Sequence, residues 1–237
     1  MGINTNERTQ KTELMDDFSL QGEELREALD KIARINQFLG GNNITLDGVN
    51  QLLTHVDRSK PITIADIGCG NGDMLRMLAK YGNKYQINFK MIGIDANEYT
   101  INYARKLSKD YDNIDYICAD IFDEDFNTLK YDIALCTLTI HHFTNEKIID
   151  LITIFNRNAS VGIVVNDLER SKLAYRLYQM VCFVFRLNRM LQEDGCTSIL
   201  RGFKRNELQS FAKTLNLKNY TIQWKWAFRY QWIIPKI

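Results

Sequence analysis

Between Glu23 and Leu39, apolar side chains fall at Leu25, Ala28, Leu29, Ile32, Ile35, Phe38 and Leu39, the three-and-four spacing of a one-faced helix. Gly40-Gly41 ends that run, and a second short helix is predicted over Asp47 to Val56. Residues 1–17 show no such period and read as a loose tail. After Pro61 the rhythm changes to short apolar runs alternating with helical ones. ITIADIG is a buried strand that runs into glycines, followed by a helix over about Asp73–Lys80. Strands are predicted at Asn88–Ile94, Asp115–Ala119, Ile133–Cys136 and Val161–Val165, with helices at Glu98–Lys109 and Asn145–Asn156. Near-continuous apolar strands that alternate with helices make an α/β fold, a parallel sheet covered on both faces.

The last third departs from this alternation. A long helix is predicted over about Lys172–Leu191, and another near Arg205–Leu215. Two β-rich runs, Tyr220–Trp226 and Arg229–Ile234, are separated only by Ala227-Phe228 and are expected to pair as an antiparallel hairpin.

Composition narrows the function classes. Apolar residues make up 45% of the 237, enough for a full core. Thirty basic residues against 29 acidic ones give a net charge of +1, which argues against a nucleic-acid footprint. The five cysteines, Cys69, Cys118, Cys136, Cys182 and Cys196, include no pair at zinc-ligand spacing. They are read as buried, reduced thiols of a cytoplasmic protein, and no metal is expected. The polar start is no signal peptide, and the sixth residue is Asn rather than the Ser or Thr of a myristoylation signal. The apolar stretch Leu177–Leu187 is interrupted by Gln179 and Arg186 and is too short for stable membrane insertion.

The strongest motif is Asp66-Ile67-Gly68-Cys69-Gly70-Asn71-Gly72-Asp73, set between the first strand and the next helix. Glycines there permit a tight turn and close approach of a ligand to backbone, and the helix offers free N–H groups. The spacing is G-x-G-x-G, with Asp73 where a dinucleotide fingerprint has its third glycine. A carboxylate at that point repels a pyrophosphate and suits a ligand carrying an ammonium and a sulfonium. No Gly-Lys-Ser/Thr follows, so a phosphate-binding loop is also disfavoured. Asp95 ends the second strand, where a carboxylate can accept from ribose hydroxyls. Asp120-Ile121 follows the third, placed to accept from an adenine amino group and to pack on its ring. Either aspartate alone also suits a turn or a helix cap.

With DIGCGNG, GIDAN, CADIF and LCTLTIHHF in this order, the chain resembles the class I S-adenosylmethionine-dependent methyltransferases from about Ile62 to Ile237. The resemblance implies a doubly wound, seven-stranded sheet with only the last strand antiparallel. An N-terminal tail and helical cap (1–58) would precede a Rossmann-like domain (59–237) bearing a helical lid at about 168–203. It also implies a cofactor set of Asp66, Gly68, Gly70, Gly72, Asp95, Ala96, Asp120, Ile121 and Thr137, with S-adenosylhomocysteine as product. The HHF variant is similar to small-molecule enzymes of quinone biosynthesis, and no Asn-Pro-Pro-Tyr motif of amino-methylating nucleic-acid enzymes is present. The stretches MDD…ARIN…LGG and VNDLERSKLAY…RGFKRNEL resemble bacterial methyltransferases of phenolic or polyketide-type metabolites.

Methyl transfer from a sulfonium is an in-line displacement that needs chiefly alignment and desolvation, and a hydroxyl acceptor also gains from a base. His141 and His142, just past the fourth strand, are the candidates, either as base or as hydrogen-bond partner to the acceptor. His55 reads as surface or helix end. Asn166 and Asp167 end the fifth strand on the ligand edge, where both can touch substrate or cap the next segment. Tyr175, Tyr178 and the aromatic stripe that follows can roof an apolar pocket or simply pack. Arg201 reads as half of a surface ion pair rather than an acceptor contact. The expected activity is methyl transfer to a small aromatic or apolar acceptor, O-directed ahead of C-directed, by a monomer or homodimer. An RNA or protein methyltransferase of the same fold and a non-catalytic S-adenosylmethionine-binding module are the rivals; a nicotinamide dehydrogenase is disfavoured by the glycine spacing.

Overall fold

In a computed structural model that describes residues 3–123 and 126–236, the apolar runs become seven strands of one sheet. They are β1 Ile62–Ile67, β2 Phe89–Asp95, β3 Ile114–Cys118, β4 Tyr131–Thr137, β5 Ala159–Leu168, β6 Thr221–Lys225 and β7 Arg229–Pro235. Their order is β3-β2-β1-β4-β5-β7-β6. β1 to β5 pair in parallel, and β7 runs antiparallel to both β5 and β6. The expected hairpin therefore forms, and it places β7 rather than β6 against β5. The chain winds outward from β1 and then returns to β4, so the switch point lies between the carboxyl ends of β1 and β4.

Successive strand residues point to opposite faces, and each face has its own core. One face buries Ile62, Ile64, Met91, Ile133 and Val164. Over them lie Val49 of α2 (Gly41–Leu52), Leu75 and Leu78 of α3 (Asp73–Tyr85), and Ile101 of α4 (Glu98–Leu107). The other face buries Ile67, Ile94, Ala134, Val165 and Trp232 under α5 (Asn145–Asn158) and α8 (Arg205–Thr214). Full burial of each such side chain contributes about 1.5–3 kcal/mol.

A third, smaller core joins α1 (Glu23–Phe38) to the helical pair α6 (Lys172–Val184) and α7 (Arg189–Arg201) through Ala28, Cys182, Leu187, Met190 and Leu191. This cluster stands over the carboxyl edge of the sheet. Tyr178 of α6 lies against Gly195 of α7 so closely that a Cβ there would meet its ring at 2.2 Å.

Four readings of the sequence are corrected. Within the expected loose tail 1–17, residues 3–17 are anchored, residues 1 and 2 lying outside those described: Arg8 donates to the carbonyls of His141, Phe143 and Arg201, and Leu14–Asp16 forms a short 3-10 turn. The second helix runs over Gly41–Leu52 rather than Asp47–Val56. Leu39 and Gly40, the latter at φ +76°, separate it from α1, and Gly48 packs so tightly that a Cβ would meet Val164 at 2.5 Å. The expected helix over Lys172–Leu191 is two helices, because Arg186 turns into the left-handed region and Asn188 caps α7 by accepting from Leu191 N–H. Of the cysteines, Cys69, Cys136 and Cys182 are buried, but Cys118 is exposed and Cys196 half-buried. The side chain of His55 lies outside those described.

Candidate active site

The glycine loop opens one cavity of about 980 Å³ over the carboxyl edge of β1, β2 and β4. Gly68, Gly70 and Gly72 all hold positive φ, at +68°, +53° and +76°. A Cβ on Gly68 would meet Thr139 at 2.5 Å, and one on Gly72 the Tyr116 hydroxyl at 2.0 Å, so both close approaches demand glycine. Thr139 Oγ1 lies 3.1 Å from the Ile67 carbonyl and donates to it, which locks the loop after β4 onto the loop after β1. Leu138, beside it, lies at φ +55°, an uncommon conformation for leucine held at the cavity wall.

Asp66, Gly68, Gly70, Asp95, Ala96, Asp120, Ile121 and Thr137 all line this cavity; Gly72 does not, and sits at the N-cap of α3. Asp66 is buried, and burial, with Asp73 and Asp95 nearby, raises its carboxyl well above the usual range. Asp95 is pushed up by burial, against the pull of N–H donors from Asn97 at 3.0 Å and Gly70 at 3.2 Å. Those two bonds engage one lone pair on each oxygen and leave the others facing the cavity. Asp120 is exposed and accepts from the Phe122 N–H at 3.0 Å, a local turn that still leaves it on the rim.

The other half of the cavity holds the histidines. His141 is 2% exposed. Its Nδ1 lies 2.7 Å from Asp167 Oδ1, and its own N–H donates to Asp167 Oδ2 at 3.2 Å. Burial works to raise the Asp167 carboxyl, but the charge and hydrogen bond of His141 outweigh it and hold it below the usual range. An ionised carboxylate only accepts, so Nδ1 carries a proton, and in the neutral ring Nε2 is the nitrogen with the lone pair. Nε2 has no hydrogen-bond partner, and Glu13 Oε1 lies 3.7 Å from it. His142 stacks on His141 with ring centroids 4.2 Å apart and donates from Nδ1 to Asp16 at 2.6 Å.

Glu13, Asp16 and Arg8 come from the tail, and patterning gave no sign of them. Glu13 accepts from Ser198 at 2.6 Å, and burial raises its carboxyl. Asp16 is held below the usual range by hydrogen bonds from His142 and Arg201 that exceed its burial cost. Arg201 is not at the surface. It is buried, ion-paired to Asp16 at 2.6 Å, and it donates to the carbonyls of His141 and His142. The one available signal was the pair of carboxylates in ELMD, opposite a cationic ILRGF segment.

Glu13, His141 and His142 also offer one potential ligand atom each within 4.8 Å of one another. Both Nδ1 atoms are engaged by carboxylates, and the two rings stack with planes 33° apart. That is poor aim for one ion, since a metal prefers the plane of each imidazole, and the arrangement suits proton handling better.

The remaining expected positions separate. Tyr178 lines the cavity and donates to the Leu191 carbonyl at 2.8 Å. Asn166 is fully buried beneath α2, donating to the Gly41 carbonyl and to Thr45 Oγ1, and does not line the cavity. Tyr175 faces Cys196 of α7 and is not on the cavity wall either.

Residues 64–162 match the methyltransferase domain family. The ubiquinone biosynthesis O-methyltransferase of Rickettsia canadensis (strain McKiel) is 27% identical over 132 residues, which are 54% of this chain and 52% of that protein. The match thus spans about half the length of that curated relative. The plantazolicin methyltransferase BpumL in complex with SAH superposes with a TM-score of 0.67 at 16% identity, covering 89% of this chain and 90% of that one. The magnesium protoporphyrin IX methyltransferase ChlM from Synechocystis PCC 6803 superposes with a TM-score of 0.55 at 13% identity, covering 86% and 84%. The glycine loop, the strand-end aspartates and the reversed β7 thus belong to a chain whose residues 64–162 match a methyltransferase domain and whose sheet has the fold of these methyltransferases.

Proposed function

We propose that the protein methylates a hydroxyl of a small, aromatic or otherwise apolar acceptor, with His141 as the base. The observation that carries this is the buried, unpartnered Nε2 of His141 on the cavity wall, with its tautomer fixed by Asp167. An acceptor hydroxyl at Nε2 would give its proton to the ring as its oxygen attacked the methyl carbon of a bound sulfonium, the carbon–sulfur bond breaking to leave neutral S-adenosylhomocysteine. The imidazolium that forms is stabilised by Asp167, and later loses the proton to solvent. Glu13 and His142 border the same spot.

The apolar reading rests on the opposite wall, where Phe18, Leu25, Leu29, Ile32, Leu177 and Val181 face the same cavity. Such a lining favours a ring or chain over a charged polymer. In this reading Asp66 takes the cofactor's ammonium, Asp95 the ribose, and Asp120 with Ile121 the adenine. Tyr178 forms part of the acceptor wall. Asn166 and Tyr175 hold α2 and α7 in place. His142 orients His141.

The test is labelled-methyl transfer from S-adenosylmethionine into a panel of phenols, quinols and carboxylates, followed by a pH–rate profile of wild type and His141→Ala. A base role requires a limb that rises with pH in wild type and is missing in the variant. Labelling only of carbon or nitrogen acceptors, with no such limb, rejects it.

A further inference from the structure

Three arginines are buried among the described residues: Arg170, Arg201 and Arg229. Two are fully engaged. Arg170 donates to both Glu207 oxygens and to the carbonyls of Thr5, Asn6 and Gly202. Arg201 donates to Asp16 and to the carbonyls of His141 and His142. Arg229 differs. It opens β7, is 4% exposed, and its Nε and Nη1 are enclosed with no acceptor. Arg229 itself lines the cavity. The one acidic side chain that bears on it electrostatically is Asp167, already committed to His141 and Leu168 N–H. Removing a guanidinium from water without an anion is strongly unfavourable, and burial pulls its proton affinity down to about 10.

Neighbouring groups keep the guanidinium in place. Gly41 admits it: a Cβ there would fall 2.9 Å from Arg229 Cζ and 1.8 Å from Asn36 Oδ1. Asn36 also lines the cavity, and its Oδ1 has no donor. A free cation and a free acceptor thus come together at the turn between α1 and α2, on the cavity wall.

We infer that Arg229 is an anion-binding residue of the cavity and receives a carboxylate from a bound molecule. Guanidinium and carboxylate match in charge and fork geometry. Two bound molecules can supply the group: the methionine carboxylate of the cofactor, or an acid on the acceptor. The inference rests on the assignment of the cavity to cofactor and acceptor, and not on the role given to His141.

Calorimetric titration of wild type, Arg229→Met and Arg229→Lys with S-adenosylhomocysteine and with its decarboxylated counterpart separates the sources. Wild-type binding of S-adenosylhomocysteine checks the cofactor assignment independently in the same experiment. If the cofactor supplies the carboxylate, Arg229→Met loses about 10- to 100-fold in affinity for S-adenosylhomocysteine and nothing for the decarboxylated form. Arg229→Lys then recovers part of the loss. If the acceptor supplies it, both nucleosides bind all three proteins alike. Benzoate-type aromatic acids then raise the melting temperature of the wild-type complex but not that of Arg229→Met. Ligand-free Arg229→Met is expected to melt no lower than wild type, since it removes an uncompensated buried cation. A lower melting temperature without ligand, or unchanged binding of both nucleosides and of every aromatic acid, overturns the inference.

Discussion

The two halves of the cavity are built in different ways. On the side we assign to the cofactor, the cavity-lining groups Asp66, Gly68, Gly70, Asp95, Ala96, Asp120 and Ile121 come from the ends of β1 and β2 or the few residues after β1, β2 and β3, so strand and loop are written next to each other in sequence. On the acceptor side, one network joins Glu13 and Asp16 of the tail, His141 and His142 after β4, Asp167 of β5, and Ser198 and Arg201 of α7. Its members lie up to 188 residues apart. A local loop keeps its shape as long as its strands pair. A network assembled from four distant segments is only as ordered as its least anchored one, the tail. The cofactor side should therefore respond to substitution one contact at a time, whereas the acceptor side should respond as a unit.

The largest expected effect tests the acceptor side. His141→Ala should cut turnover about 10²- to 10⁴-fold while S-adenosylhomocysteine affinity stays within about twofold, because the glycine loop and aspartates are untouched. Calorimetry alongside single-turnover methyl transfer checks both numbers, and a matching loss in cofactor affinity would show that the two halves are not separable. Next comes the cofactor side. Asp95→Ala removes a charge-assisted acceptor for the ribose and should weaken S-adenosylhomocysteine by about 2–3 kcal/mol. Unchanged affinity would reduce Asp95 to its observed bonds with Gly70 and Asn97.

The same contrast explains what could be read in advance. DIGCGNG, GIDAN and CADIF stood out because each motif is contiguous and lies at the end of a strand. The doubly wound sheet was legible for the same reason: β1 to β5 are short runs, separated by helical periods everywhere except between β3 and β4. The tail escaped because Arg8, Glu13 and Asp16 have no period, and polar residues without period read as solvent-exposed. Their partners are backbone carbonyls and side chains more than a hundred residues away. The break between α6 and α7 was hidden because FRLNRM contains neither Gly nor Pro; the turn is stabilised by the Asn188 cap and by burial of Leu187 and Leu191 in the core shared with α1. Arg229 escaped because a single charge at the mouth of RYQWIIP looks like a strand end meeting water, whereas it lies under the α1–α2 turn.

A smaller effect probes the anchoring of the tail. Arg8 reaches the carbonyls of His141 and Phe143 at 2.9 Å and that of Arg201 at 2.7 Å, and its guanidinium lies 4.6 Å from the centre of the Phe203 ring. Arg8→Ala should free residues 3–20 to proteolysis and lower turnover about tenfold, since Glu13 and Asp16 then reach the histidines only part of the time. Cofactor affinity should fall much less. Equal losses in both would mean that the tail also holds the cofactor side, which the bond from Asn97 Nδ2 to the Leu20 carbonyl makes a sharp question.

The smallest effect is one of stability, and its sign opposes its effect on binding. Asp66 is buried, has Asp73 and Asp95 nearby, and has its carboxyl raised well above the usual range. A carboxyl whose folded-state pKa exceeds its unfolded value, about 3.9, binds its proton more tightly in the folded protein. Its contribution is therefore fully present below that unfolded value and is lost as pH rises through the raised one. Asp66→Asn is nearly isosteric and carries no titratable group, so it should not share this loss. Without ligand, the melting temperature of Asp66→Asn should exceed that of wild type at high pH by about 2–4 °C for each kcal/mol relieved. The gap should narrow as pH falls. Saturating S-adenosylmethionine should reverse the order, because its ammonium stabilises the ionised Asp66 and wild type alone gains that pairing. A scan from pH 5 to pH 9, with and without cofactor, measures both signs at once. If Asp66→Asn is the less stable protein at every pH, the carboxylate is held by the fold rather than kept for the cofactor, and the cofactor side is less local than its motifs imply.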